Sequence, residues 1–167
     1  MLIAANRANR EFHAPWVTPP VDETGFAAWL ADCALPNREV RLARLAETGA
    51  LVGVVSLTEI VHRALCSAYL GFYGLRDMAG QGLMTEAVGS LVRLAFDAFG
   101  LHRVEANVQP GNAPSLALLA RLGFRREGFS PRYLFIAGAW RDHARFALLA
   151  DEAPGEGGSP PDRETPG

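Results

Sequence analysis

A strand-to-helix junction built on two glycines constrains this chain more than any other stretch. An apolar run from Ala68 to Tyr73 leads into Ala79-Gly80-Gln81-Gly82-Leu83-Met84-Thr85-Glu86-Ala87, and apolar helical spacing continues to Phe99. A second strand-like run, His102 to Val108, follows. Strand, helix and strand in that order make the helix a crossover, so the two strands lie parallel in one sheet. At the junction, glycine has no Cβ and lets the backbone approach a ligand closely. The helix beyond aims its unpaired N–H groups and positive dipole end at the same place. Such a junction is a cradle for pyrophosphate that uses no lysine.

A plain tight turn before a helix would produce the same Gly-x-Gly. A P-loop needs a Lys-Ser/Thr pair after its last glycine, where this chain has Leu83-Met84. A dinucleotide fold needs a third glycine and an acidic residue about twenty positions on. Glu105 stands near that distance, but no glycine follows Gly82 at the required spacing. Nucleotide-binding readings therefore fall behind.

The chain has 167 residues, 49% of them hydrophobic, enough for one globular domain with its own core. It has no run of 18 apolar residues to form a membrane-spanning helix. Residues 1–10 carry Asn and Arg within their apolar stretch and lack the apolar centre of a signal peptide. Cys33 and Cys66 sit in apolar surroundings without metal-ligand spacing. They read as buried free thiols of a cytoplasmic protein, with no metal expected. All 16 basic residues are arginine. Residues 151–167 hold five acids against Arg163, a net charge of −4. The remainder carries 13 acids and 15 arginines, about +2, which is too mild for a nucleic-acid footprint but adequate for one polyanionic cofactor.

Residues 1–150 read as one domain. Residues 151–167, acidic and rich in Gly and Pro, read as a disordered tail that buries too little apolar surface to offset its ordering entropy. Helices are expected over Leu2 to Phe12, Asp22 to Ala34, Gly82 to Phe99 and Asn112 to Leu122. In the long one, Leu83, Ala87, Leu91, Leu94 and Ala98 share a face. Strands are expected over Val40 to Ala46, Ala50 to Ile60, Ser67 to Leu75, His102 to Val108, Arg132 to Ile136 and Trp140 to Leu149. The fold class is α+β (mixed α/β), a single layer of sheet with helices on both faces.

Several segments in order then resemble the GNAT acetyltransferases, and specifically their RimJ/RimL-type protein N-acetyltransferase branch. They are Gly80 to Ala87, Leu101 to Asn107, Asn112-Ala113-Pro114-Ser115, Arg121 to Gly128, and Trp140-Arg141-Asp142-His143. The resemblance runs from about Asn6 to Leu149. It implies a central, mostly antiparallel sheet with a splayed parallel strand pair. It also implies a short edge strand before the first helix. Because Met1 falls almost at that helix, the edge strand is expected to be missing or to start upstream, which would expose the backbone of the next strand.

The resemblance further implies acetyl-CoA as co-substrate, held by Phe72, Tyr73, Gly80, Gln81, Gly82, Leu83, Met84, Thr85, Asn112 and Ser115. The family's pyrophosphate motif puts a polar residue where this chain has Ala79, leaving the backbone donors in place. Many members use a tyrosine to protonate the departing thiolate, at the position of Leu119 here; the RimL-like alternative is the Ser of Asn-x-x-Ser, which is Ser115. An N-cap Asn and a first-turn Ser are also ordinary helix preferences. The RimL-like base, a carboxylate just before Tyr133, is replaced by Arg132. Glu105, on a strand lining the cleft, is the candidate base, with a salt bridge to an arginine as the plainer role. An α-amine near its own pKa would also let water carry the proton.

Asp142 and His143 are neighbours on a strand and point to opposite faces, so they do not form an orienting pair. His62, Tyr69, Tyr73 and Trp16 are candidates for an acceptor groove or for packing. Neither cysteine lies on a cleft motif, which argues against an acyl-enzyme. The expected acceptor is a protein or peptide N-terminal α-amine, ribosomal proteins being what the resemblance suggests. A small-molecule amine such as an amino acid or antibiotic, and a non-catalytic acyl-CoA-binding module, are the alternatives. A homodimer is among the expected assemblies, and neither nucleic acid nor membrane is an expected partner.

Overall fold

The computed structural model describes residues 1–153. The elements run α1 (Leu2–Ala8), α2 (Arg10–His13), α3 (Glu23–Cys33), β1 (Glu39–Arg44), β2 (Leu51–Val61), β3 (Ser67–Gly74), a 3-10 turn (Arg76–Met78), α4 (Leu83–Asp97), β4 (Arg103–Val108), α5 (Ala113–Arg121), β5 (Arg125–Ile136) and β6 (Ala139–Leu149). The strands form one six-stranded sheet in the order β1-β2-β3-β4-β6-β5. Each neighbouring pair is antiparallel except β3 and β4, which α4 joins by a crossover and which run parallel. The first described element is α1, and β1 forms that edge of the sheet.

Helices cover both faces. In β2, Val55 and Leu57 pack with α4 and α5, whereas Val54 packs with Leu2, Phe26 and Trp29 of α1 and α3. A strand buried on both sides needs apolar residues at successive positions, which explains the unbroken run Leu51 to Val55. On α4 the buried stripe is Val88, Leu91, Val92 and Ala95, spaced three and four apart. This corrects the expected face: Ala87 and Leu94 are only partly buried at its margin.

Two further expectations are corrected. The single helix over Leu2 to Phe12 is broken at Asn9, which adopts φ −103° and ψ 13°. The Asn9 side chain donates to the Ala5 carbonyl (2.9 Å) and accepts from the Arg76 amide (2.8 Å), competing with the backbone for its own helix. β5 also begins at Arg125, seven residues before the expected strand start. Its pairing slips between Ser130 and Leu134, around Pro131 and a positive φ at Arg132 (48°), a bulge on an edge strand. Of the expected tail, Asp151 to Ala153 form a turn in which the Glu152 side chain accepts from the Leu149 amide at 3.3 Å. Residues 154–167 lie outside the described residues.

Gly53 on β2 is required by close packing. A Cβ there would stand 2.3 Å from the Tyr73 carbonyl oxygen, 2.7 Å from Met84 Sδ and 2.9 Å from Gly74 Cα. Two of those atoms are backbone and have no rotamer to yield. Gly53→Ala is therefore expected to lower unfolding stability by about 2 kcal/mol or more in denaturant titrations. Gly128→Ala, whose Cβ meets nothing within 4 Å, should stay within about 0.5 kcal/mol of the parent.

Candidate active site

The parallel pairing between β3 and β4 lasts only from Ser67↔Arg103 to Leu70↔Ala106. Beyond it, β3 continues through Gly71 to Gly74 and β4 through Asn107 and Val108, still paired on their outer sides to β2 and β6. The two strands therefore part in mid-sheet, and their facing backbone groups have no strand partner past that rung. A cleft of about 1050 Å³ passes through the gap. One side is lined from α4 and α5, by Gly82, Met84, Thr85, Asn112 and Ser115 among others; the other is lined by His13, Trp16, Tyr73, Gln109 and His143.

At the α4 end, Gly80 and Gly82 adopt φ +75° and +79°. A Cβ at either would meet nothing within 4 Å, so the left-handed backbone, not crowding, is what demands glycine there. Gln81 is tied back by its side-chain amide to the Asp77 carbonyl at 3.0 Å. The first intrahelical bond entering α4 is from the Glu86 amide to the Gly82 carbonyl, 3.1 Å. The amides of Gly80 to Thr85 find no acceptor among the described residues. They form the open donor set that an anion requires at a helix start. Arg93 and Arg121 line the same side and make no ion pair among the described residues, adding positive charge. Of the residues expected to hold a cofactor, Phe72, Tyr73, Gly80, Gly82, Met84, Thr85, Asn112 and Ser115 line the cleft, whereas Gln81 and Leu83 do not.

Asn112 caps α5, its Oδ1 accepting from the Ser115 amide at 3.3 Å, and Pro114 stands in the first turn. That cap turns Ser115 to the cleft wall, half-buried, with its hydroxyl unbonded among the described residues. Leu119 is fully buried in the core.

On the far side, His13 is buried, its Nε2 at 2.9 Å from the Gly74 carbonyl. Since a carbonyl only accepts, Nε2 carries the proton. Burial lowers the pKa of His13, the Gly74 bond opposing. Its ring lies edge-on to Tyr73, 5.0 Å between centroids. Burial pushes the Tyr73 hydroxyl up to about 12. Gln109, also buried, donates to the Pro15 carbonyl at 3.2 Å and so pins the segment after α2 beside the end of β4. His143 is buried, with Nδ1 at 2.9 Å from the Arg141 carbonyl. Asp142 points the other way and accepts from the Arg132 amide at 2.7 Å, capping the β5 bulge. Trp16 and Tyr73 line the cleft as expected of groove residues. Tyr69 instead hydrogen-bonds with Tyr133, which with burial raises it to about 12, and His62 is exposed past the end of β2. The places of His13 and Gln109 carried no signal in the sequence, because neither belongs to a local motif.

A sequence profile described as an acetyltransferase (GNAT) domain matches residues 2–125. An Escherichia coli [ribosomal protein uS5]-alanine N-acetyltransferase is 34% identical over 88% of this chain and 80% of its own length. A Bacillus subtilis protein named probable N-acetyltransferase YjcK is 41% identical, but its alignment spans 59% of this chain and about half, 55%, of that protein. Among solved structures, Mycobacterium smegmatis RimJ in complex with CoA-disulfide superposes with a TM-score of 0.81 at 32% identity, over 92% of this chain and 78% of that one. A spermidine N-acetyltransferase from Vibrio cholerae, with CoA and spermine, superposes at 0.75 with 21% identity, over 90% and 88% of the two chains, a likeness of fold alone. The chain belongs to the GNAT family of acetyltransferases, on its RimJ/RimL branch. It is an acetyl-CoA-dependent N-acetyltransferase, and the open amides of Gly80 to Thr85 fit the cofactor's diphosphate.

Glu105 lies outside this cleft, in a small recess it shares with Arg103, Glu127 and Arg145. Its Oε1 accepts from Arg103 Nε at 2.9 Å and its Oε2 from Arg145 at 3.1 Å, so both oxygens are engaged by guanidinium groups. Arg103 also pairs with Glu127, which pairs in turn with Arg125 at 2.9 Å, and Arg125 with Glu152. Hydrogen bonds from Arg103 and then Arg125 hold the Glu127 carboxyl at about 2, below its ordinary 4.5. A carboxyl depressed in the folded state stabilises fully above about 4.5 and loses that contribution as pH falls towards 2. Glu127→Gln should lower the thermal midpoint by about 1–3 °C at pH 7, the scale of an exposed ion pair. The variant's midpoint should also fall less steeply between pH 4.5 and 2, as followed by circular dichroism.

Proposed function

We propose that this enzyme acetylates the N-terminal α-amine of a protein or peptide. The observation that carries the reading is the charge of the cleft. Among the described residues its single lining carboxylate is Glu86, in the first turn of α4 at the cofactor end. The acceptor side offers His13, Trp16, Tyr73, Gln109 and His143, with no carboxylate to attract a second ammonium group. A polyamine would carry a second charged amine with no counter-charge there, whereas an α-amine, which titrates near about 8, can enter neutral and leave no buried charge unpaired. The 34% identity to the uS5-alanine enzyme over most of both chains supports the same reading.

In this account the diphosphate lies on the amides of Gly80 to Thr85, and the pantetheine arm passes Asn112 through the gap between β3 and β4. Those backbone donors of the Gly71 to Gly74 segment that point away from β2 face the thioester carbonyl and stabilise the oxyanion as it forms. The amine nitrogen attacks that carbon, the C–S bond breaks, and the Ser115 hydroxyl donates a hydrogen bond or proton to the departing thiolate. The transfer is direct. Cys66 stands outside the cleft with Sγ 3.3 Å from the Gly100 carbonyl, and Cys33 is on α3.

Free-thiol release from acetyl-CoA, measured with peptides bearing Ala or Ser N-termini, spermidine and single amino acids, tests the acceptor. Peptides should turn over fastest. Preference for spermidine would contradict the charge argument, and binding of acetyl-CoA without turnover on any amine would point to a non-catalytic module. Ser115→Ala should reduce kcat by about 100-fold while calorimetric affinity for acetyl-CoA changes little. Gly82→Val, which forces a β-branched residue into a left-handed φ, should instead weaken acetyl-CoA binding by about tenfold or more.

A further inference from the structure

We infer that His143 is the general base that removes the proton from the attacking amine. This rests on the acetyl-transfer reading above and names the residue that reading leaves unassigned. β4 and β6 pair as far as Val108↔Ala144, so His143 sits one residue past the last rung, at a level where β3 and β4 have already parted. On β6 it shares a face with Arg145, itself paired to Asn107 on the sheet face away from α4 and α5. The cleft it lines is the same one that Ser115 and Asn112 line from the opposite face.

Its hydrogen bonding fixes its chemistry. Nδ1 lies 2.9 Å from the Arg141 carbonyl, which has no proton to give, so Nδ1 carries the hydrogen and the neutral ring keeps a lone pair on Nε2. The residue is 2% exposed and its ring meets Tyr133 edge-on at 6.1 Å between centroids, which holds its plane. Nε2 has no partner among the described residues and is the nitrogen left to the cleft. An imidazole lone pair fixed by a bond at the other nitrogen, inside a substrate cleft, is the arrangement general-base catalysis needs.

The other candidates on this face fail on their surroundings. Glu105 has both carboxylate oxygens engaged by Arg103 and Arg145 and lies outside the cleft. His13 spends Nε2 on Gly74, and its Nδ1 is sealed inside the protein without a partner. Tyr69 is bonded to Tyr133, and the Tyr73 hydroxyl is buried away from the cleft wall that its ring lines. In the reaction, the amine nitrogen forms the C–N bond as its proton passes to Nε2. The C–S bond then breaks and the thiolate takes a proton from Ser115, which regains one from solvent, or from solvent directly; the imidazolium returns its proton to solvent, so no other reactant is needed.

Three variants test this with acetyl-CoA and an Ala-terminal peptide. His143→Asn keeps an amide donor for the Arg141 carbonyl but has no basic nitrogen; His143→Ala opens a space for free imidazole; Ser115→Ala is the control. His143→Asn should lose at least about 100-fold in kcat, with acetyl-CoA affinity by calorimetry and thermal midpoint close to the parent. Millimolar imidazole should restore activity to His143→Ala and leave Ser115→Ala unchanged. A purely structural histidine would give no such rescue. Near-parental kcat in a folded His143→Asn, or inactivity of His143→Ala that imidazole does not relieve, overturns the assignment. Should the unmodified protein bind acetyl-CoA yet acetylate no amine at all, the functional reading itself fails and this assignment with it.

Discussion

The structure depends on one interrupted ladder. β3 and β4 are held together for four residue pairs, Ser67↔Arg103 to Leu70↔Ala106, and then separate while each stays bonded to its outer neighbour. A sheet interior is normally where backbone donors and acceptors are most completely satisfied. Here the ladder stops in mid-sheet, so the backbone donors and acceptors that β3 and β4 turn toward each other beyond Leu70↔Ala106 lack a strand partner. α4 makes the separation possible. It packs Val88, Leu91, Val92 and Ala95 onto the sheet while its N-terminus remains at the mouth of the gap. The open helix start and the cleft are thus consequences of one crossover.

The two faces of the opened sheet differ in chemistry. The α4 and α5 side supplies unpaired amides and arginines, suited to phosphates. The α1 to α3 side supplies neutral polar groups, an imidazole on either flank and aromatic rings, suited to one amine leaving water. Five charged groups of β4, β5 and β6 are gathered away from the cleft, in the Arg103, Glu105, Arg125, Glu127 and Arg145 network. That separation keeps strong fixed charges from competing with the cofactor's own.

Much of this was legible from residues because the signals are local. The glycines of the cradle, the crossover helix, the cap at Asn112 and the parallel strand pair each follow from a few adjacent residues, and the structure places them as expected. What stayed hidden depends on distant partners. Asn9 breaks a helix through a bond to Arg76, far along the chain. The first half of β5, Arg125 to Ser130, has no apolar alternation because it is an edge strand exposed on much of both sides. Glu105 shares its strand face with Arg103, as alternation along β4 requires, yet β6 and β5 bring arginine and glutamate around it there. His143 reaches the cleft only through its register with β4, which no spacing in its own segment encodes.

Nuclear magnetic resonance can show whether unpaired backbone amides of the helix start and of the parted strand hold the acyl-CoA. Amide resonances of isotope-labelled protein would be followed while acetyl-CoA is added. The largest shifts should fall on Gly80 to Thr85 and on Gly71 to Gly74, with the β5–β6 hairpin tip nearly still. Saturable binding that moves other amides and leaves those two stretches unchanged would contradict it.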